Sequence, residues 1–184
     1  MTTRLFSFAG GDAGRWQVLS VNTLAGKPLV SVKAVDVLDG DDCQLQGRCW
    51  VLRGITSNER YVTREEKGSL IAKQQGLGRS LSTCAALIPL RKSVDWWALT
   101  QDERRQVFED QSRHIAIGMK YLPAIARRLH HCRDLGPDEP FDFITWFEFA
   151  EADTAAFDEM LKELRASPEW HYVDREIDIR LRLA

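Results

Sequence analysis

Near the C-terminal end Ile177, Ile179, Leu181 and Leu183 alternate with Glu176, Asp178, Arg180 and Arg182. A period of two puts successive side chains on opposite faces of an extended backbone, so this segment predicts a β-strand. From Ser82 to Leu90 the residues are small and apolar, which predicts a buried strand ending near Pro89. Phe141, Phe143, Phe147 and Phe149 share one parity and Asp142, Trp146 and Glu148 the other, predicting a third strand. Helical spacing appears between them. Thr100-x-x-Glu103 has the form of a capping box, and beyond it Val107, Phe108, Gln111, His114 and Ile115 recur every three or four residues. A single helix is expected from Thr100 past His114, with the histidine on the inward stripe, and Pro123 cannot continue its hydrogen bonding. A second helix, opening at Asp153 or Thr154, carries Phe157, Met160, Leu161 and Leu164 on one face and stops before Ser167-Pro168. The segment from Ala126 to Arg133 reads as extended and leads into a turn at Gly136-Pro137-Asp138-Glu139-Pro140.

The second half therefore runs strand, helix, strand, strand, helix, strand, the βαββαβ order of a ferredoxin-like unit. The first half predicts strands at Leu5–Ala9, Trp16–Val21, Leu29–Val37 and Cys49–Ile55, then a helix opened by Thr63-x-x-Glu66 and closed near Gly76 and Gly78. The expected fold class is α+β: a reduced, strand-rich N-terminal half (1–80) and a C-terminal half (81–184) in one compact unit. Their sheets should curl into one barrel with helices outside.

Composition narrows the partners. At 184 residues, 44% hydrophobic and 28% charged, the chain has the make-up of an ordinary globular protein, and no membrane insertion is expected. A net charge of −2 gives no basic stripe for nucleic acid, so an anionic substrate needs a local cation. Met1 to Phe6 lack a secretory h-region, which predicts a cytoplasmic protein. The four cysteines form no Cys-x-x-Cys pair and no haem-attachment motif, so reduced thiols are expected and any haem is held non-covalently.

Several residues carry candidate chemistry, each with a plainer alternative. His114 on an apolar face is compatible with a core histidine bonded to a carbonyl or with an axial ligand facing a cofactor. His130 and His131, adjacent in a strand, point apart and do not converge on one metal ion. Of Arg127 and Arg128, adjacent in a strand, only one faces inward while the other meets solvent, and an inward guanidinium stays ionised and needs an anion; a surface pair is the alternative. Trp96 and Trp97 suit core packing, and Lys92 suits a solvated strand end. Gln74 suits an exposed helix end. Glu169 is either a turn acid or a carboxylate that orients a ligating imidazole.

Taken together, Arg53-Gly54-Ile55-Thr56-Ser57-Asn58-Glu59-Arg60-Tyr61, Gln74-Gln75-Gly76-Leu77-Gly78-Arg79, Ala85-Ala86-Leu87-Ile88-Pro89-Leu90-Arg91-Lys92, Asp95-Trp96-Trp97-Ala98-Leu99, Tyr121-Leu122-Pro123-Ala124-Ile125-Ala126-Arg127 and Phe141-Asp142-Phe143-Ile144-Thr145-Trp146-Phe147-Glu148 resemble the chlorite dismutase (chlorite O2-lyase) family, in its short dimeric branch. The resemblance runs from about Arg53 to the C-terminus. It implies a ferredoxin-like dimeric α+β barrel, one non-covalent haem b per subunit and a homodimer. By the same resemblance His114 is the axial ligand of the haem iron, Glu169 the carboxylate bonded to it, Arg127 the distal arginine and Gln74 a distal glutamine. Lys92 and Trp96 fall near the haem edge and propionates, Trp97 on the proximal side, and Asn58 and Tyr61 at the propionates. The implied reaction converts chlorite to chloride and dioxygen through an oxo-ferryl species and O–O bond formation.

Three other readings compete with it. The same superfamily includes coproheme decarboxylases and haem peroxidases, and a haem-binding protein without turnover is a further class. Coproheme decarboxylases resemble longer chains without the distal arginine, so Arg127 and the short length favour chlorite chemistry. Haem storage has no use for a buried cation.

Overall fold

The computed structural model describes residues 4–41, 47–56 and 60–184. Strands β1 (Leu5–Gly11), β2 (Trp16–Ala25), β3 (Ala34–Asp39) and β4 (Arg48–Ile55) precede helix α1 (Arg64–Lys73). The remainder comprises β5 (Cys84–Lys92), α2 (Val94–Ala98), α3 (Gln101–Arg105), α4 (His114–Lys120), β6 (Ala126–His131), β7 (Phe143–Phe149), α5 (Thr154–Arg165) and β8 (Val173–Leu183). All strand pairs are antiparallel, and they close a barrel in the order β1-β3-β2-β8-β5-β7-β6-β4.

Strand parity sorts the core into two layers. Phe8, Val35, Leu52, Leu87, Trp146 and Ile179 fill the barrel, while the alternate residues Cys84, Ala86, Ile88, Phe147 and Phe149 face outward against α4 and α5. Both faces of β5 and β7 are therefore buried, which is why the sequence reads as near-continuous apolar runs there. Helix α5 docks through the predicted stripe of Phe157, Met160, Leu161 and Leu164, each burial contributing about 1.5–3 kcal/mol. On β8 the charged parity is also covered: Arg165 of α5 bonds Glu176 at 2.8 Å and Asp178 at 2.9 Å. The barrel closes at a single β4–β6 pairing, Ile55 with His131. Gly54 permits this approach, since a Cβ there would lie 2.7 Å from that of His130.

Four expectations are corrected. The strand set at Leu29–Val37 begins only at Ala34, because β2 runs on to Ala25 and the turn at Gly26 (φ 71) and Pro28 keeps the chain irregular. Strand β5 passes through Pro89 to Lys92, in register with β7 from Cys84 to Leu90, while its ladder with β8 is interrupted at Ile88 and Pro89, where proline has no N–H to donate. The helix expected from Thr100 past His114 is broken. Its first turn is α3, with Glu103 accepting from the Thr100 backbone N–H at 2.7 Å; a π-helical turn follows over Gln106–Gln111, and Arg113 in the left-handed region (φ 53) separates it from α4. Arg128 is only partly exposed: it turns to the barrel side, 3.7 Å from the Phe6 ring centroid, with its Nε bonded to His130 at 3.0 Å. Among the described residues no helix is long and apolar enough to cross a membrane.

Candidate active site

A cavity of about 340 Å³ lies between the outward faces of β5, β6 and β7 and a cover made by α4, α5, the C-terminal end of α1 and the 3₁₀ turn Pro168–Tyr172. Its walls are mainly apolar, including Ile88, Leu90, Phe108, Leu122, Phe147 and Leu164, with a few polar groups converging on it. That is the usual make-up of a small-molecule or cofactor site. His114, Glu169, Lys92, Trp96, Tyr61, Gln74 and Arg127 all line it.

The break before α4 makes His114 the first residue of a short helix. Its imidazole stacks on Phe108, ring centroids 4.3 Å apart, and its Nδ1 lies 2.7 Å from Glu169 Oε2. Lys92 Nζ bonds the other carboxylate oxygen at 2.7 Å. The Glu169 backbone N–H donates to Ser112 Oγ at 2.8 Å, so the residue before the kink holds the acid in place. Burial alone favours the neutral form of Glu169, but His114 and Lys92, by charge and hydrogen bonding, outweigh it and lower the carboxyl from 4.5 to about 2. An ionised carboxylate only accepts, so the Nδ1 proton is held in this bond and Nε2 is the nitrogen left for a metal. This is the arrangement that orients a histidine for a metal and increases its basicity.

Lys92 is no solvated strand end: it is 5% exposed, with Nζ 4.5 Å from the Trp96 ring centroid. Trp96 is 1% exposed, and its Nε1 has no hydrogen-bond partner in the protein. His131 on the same cavity also has a buried, unpartnered Nδ1, and burial, with Arg60 nearby, pushes this imidazole down to about 4, leaving it uncharged at neutral pH. Tyr61 stands edge-on to Trp96 in left-handed backbone (φ 62), a conformation costing about 1–2 kcal/mol, and its carbonyl accepts from Arg105.

On β6 Arg127 shares its parity with Leu129 and His131 and projects into the cavity. Its Nη1 would lie 3.9 Å from a Cβ at position 118, an ordinary contact distance, which places the guanidinium beside α4. Gln74 caps α1 and donates from Nε2 to the Arg127 carbonyl at 2.9 Å. Arg79 anchors the same segment, donating to the carbonyls of Pro123 at 2.8 Å and Ala124 at 2.6 Å, just ahead of β6.

Trp97 is not brought to the cavity. Its Nε1 donates to Asp142 at 3.1 Å and its ring stacks on Phe143 while Arg104 and Arg133 cover it, so it packs behind the cavity wall. Asn58 lies outside the described residues. The sequence reading missed Ser112, Arg79 and Trp170. Trp170, next to Glu169, lies nearly parallel to the His114 ring at 6.5 Å, and adjacency to a candidate residue was its one signal.

Glu169→Gln is expected to lower the affinity of the His114 site for a metal or metallocofactor by about 10–100-fold, read by titration. The same change should flatten the acid limb of stability. A carboxyl lowered from 4.5 to about 2 stabilises the folded state above 4.5 and loses that contribution as the pH falls through 2, and the amide has no such titration.

The family model for chlorite dismutase matches residues 45–181, a span that contains every cavity residue named above. The chlorite dismutase of Ideonella dechloratans is 29% identical over 123 residues, 66% of this chain, and this chain spans 40% of that relative's length. A dimeric chlorite dismutase from Nitrobacter winogradskyi superposes with a TM-score of 0.90 at 50% identity, covering 97% of this chain and 99% of that one. A mutant chlorite dismutase from Candidatus Nitrospira defluvii, in complex with cyanide, shares the fold at a TM-score of 0.72 and 16% identity, over 100% of this chain and 92% of that one. With the match extending over barrel, cavity and the His114–Glu169 pair alike, the chain belongs to the chlorite dismutase family.

Proposed function

We propose that the protein is a haem b-dependent chlorite O2-lyase, acting as a homodimer of two-half, ferredoxin-like barrels with one haem per subunit. The observation that carries this reading is a cation, Arg127, on the same apolar cavity as a carboxylate-bonded histidine. Support for the fold reading comes from the strand order, which runs β4-β1-β3-β2 in residues 1–80 and β8-β5-β7-β6 in residues 81–184, the same permutation in each half.

The cavity fits haem by its chemistry. His114 would hold the iron through Nε2, apolar walls would cover the macrocycle, and the unpartnered Trp96 Nε1 suits an acidic side group, with Tyr61 edge-on to the same ring. When bound, haem supplies the redox chemistry that breaks a Cl–O bond and makes an O–O bond.

The remaining work falls to this chain's residues. Glu169 keeps the His114 Nδ1 proton and, with Lys92 as its counter-ion, fixes the ring. Arg127 attracts chlorite and retains the chlorine oxyanion after cleavage, close enough to recombine, because a fixed cation in a water-poor cavity acts far more strongly than in bulk water. Gln74 steadies the Arg127 backbone and stands at the cavity wall. Arg79 keeps that segment in place.

An oxygen electrode tests the proposal. Haem-loaded protein given chlorite should release dioxygen and chloride in equal amounts, and intact haem-loaded protein that releases no oxygen would sink the reading.

A further inference from the structure

We propose that Glu109 is a positioning residue for His114: its carboxylate caps the helix that begins at the histidine and so sets where the imidazole sits. The inference rests on the reading of His114 as the ligand. Helix α4 starts at His114, and Arg113 before it provides no side-chain cap. The opening turn of a helix leaves its N–H groups without intrahelical partners. Glu109, on the π-helical turn, accepts from Ile115 N at 2.7 Å and Ala116 N at 3.4 Å.

These bonds exist only because the helix is broken. In the continuous helix that the periodicity predicts, the same two N–H groups would bond the carbonyls of Gln111 and Ser112. The left-handed Arg113 releases them, and a carboxylate from the preceding turn collects both, where the positive end of the helix dipole also favours it. His114 is thereby held from two sides. Glu109 fixes the backbone immediately after it, and Glu169, itself seated on Ser112, fixes Nδ1. A rotation of α4 about the kink would carry the imidazole off the Glu169 carboxylate and away from the cavity. Of the groups near Glu109, Arg105 is committed to Glu66 at 2.7 Å.

Glu109→Ala removes the cap; Glu109→Gln keeps the size and one accepting oxygen without the charge. In haem-free protein, proton NMR should show the His114 Nδ1–H held against Glu169 as a slowly exchanging downfield resonance, weakened in Glu109→Gln and lost in Glu109→Ala. In haem-loaded protein, transfer of haem to apomyoglobin should be about tenfold faster for Glu109→Ala, the scale expected when support for a metal ligand is removed. If either variant melts earlier but keeps the wild-type resonance and haem-loss rate, Glu109 caps a helix and nothing more, and the proposal is overturned. Should Glu109→Ala fail to fold, Glu109→Gln decides by the same two readouts. If wild-type protein takes up no haem, the functional reading falls, while the Nδ1–H resonance still decides the role of Glu109.

Discussion

Arg127→Ala is expected to take up haem normally yet lose about 10²–10³-fold in kcat/KM for chlorite, the usual cost of deleting a preorganised group that stabilises developing negative charge. Arg127 lies on β6, in the cavity but on a different element from His114, so its removal leaves the His114–Glu169–Lys92 chain of bonds intact. A second consequence distinguishes it from a mere binding residue. With no cation to hold the chlorine oxyanion, more hypochlorite should escape into solution and the haem should bleach within fewer turnovers. A hypochlorite scavenger should then prolong activity in the variant more than in the wild type. Unchanged turnover in Arg127→Ala would mean that another group manages the anion. Arg127→Lys should fall between the two, since a point charge keeps the attraction but loses the planar fork.

His114→Ala is expected to abolish stable haem binding. The orientation of the ring is set by a buried carboxylate with its own counter-ion, and alanine leaves Glu169 and Lys92 facing each other with nothing to present. Ligand-linked stabilisation measures the loss. A protein saturated at 1,000 times the dissociation constant gains about 4 kcal/mol, so the rise in melting temperature that haem gives the wild type should disappear in the variant. A normal five-coordinate ferric spectrum in His114→Ala would overturn the ligand assignment.

Much of the fold was legible because its signals are local. The alternation of β8, the stripe of α5 and the Thr63–Glu66 box all depend on residues within a few positions of one another, and all three form as expected. The capping box at Thr63 closes with Glu66 Oε2 2.7 Å from the Thr63 N–H. What the pattern could not supply was the interruption ahead of His114. Periodicity there is consistent with one helix, and the break is held by Ser112 reaching Glu169 and by Glu109 reaching past the kink.

The candidate site divides in the same way. His114 and Arg127 could be singled out by residue type and parity, and the family motifs added Gln74 and Glu169. Lys92 looked like a strand end because nothing nearby in sequence reveals a partner 77 positions away. Arg128 was expected in solvent because parity states only that neighbours face opposite ways; the face opposite the cavity is the barrel interior, where the Phe6 ring and His130 receive the guanidinium. Trp97 and Trp96 are adjacent and chemically alike, yet one packs between arginines behind the wall and the other lines the cavity with its ring N–H unpartnered.

By itself the sequence determined the periodic elements, their βαββαβ order in the second half and the residues that mark the family, since these follow from side-chain type and short-range spacing. Tertiary structure alone decided that His114, Glu169, Lys92, Trp96 and Arg127 share one cavity, that His114 begins a helix instead of riding within one, and that Glu169 stays ionised in the core. Those outcomes depend on contacts between residues far apart in the chain and on charges whose strength is set by burial.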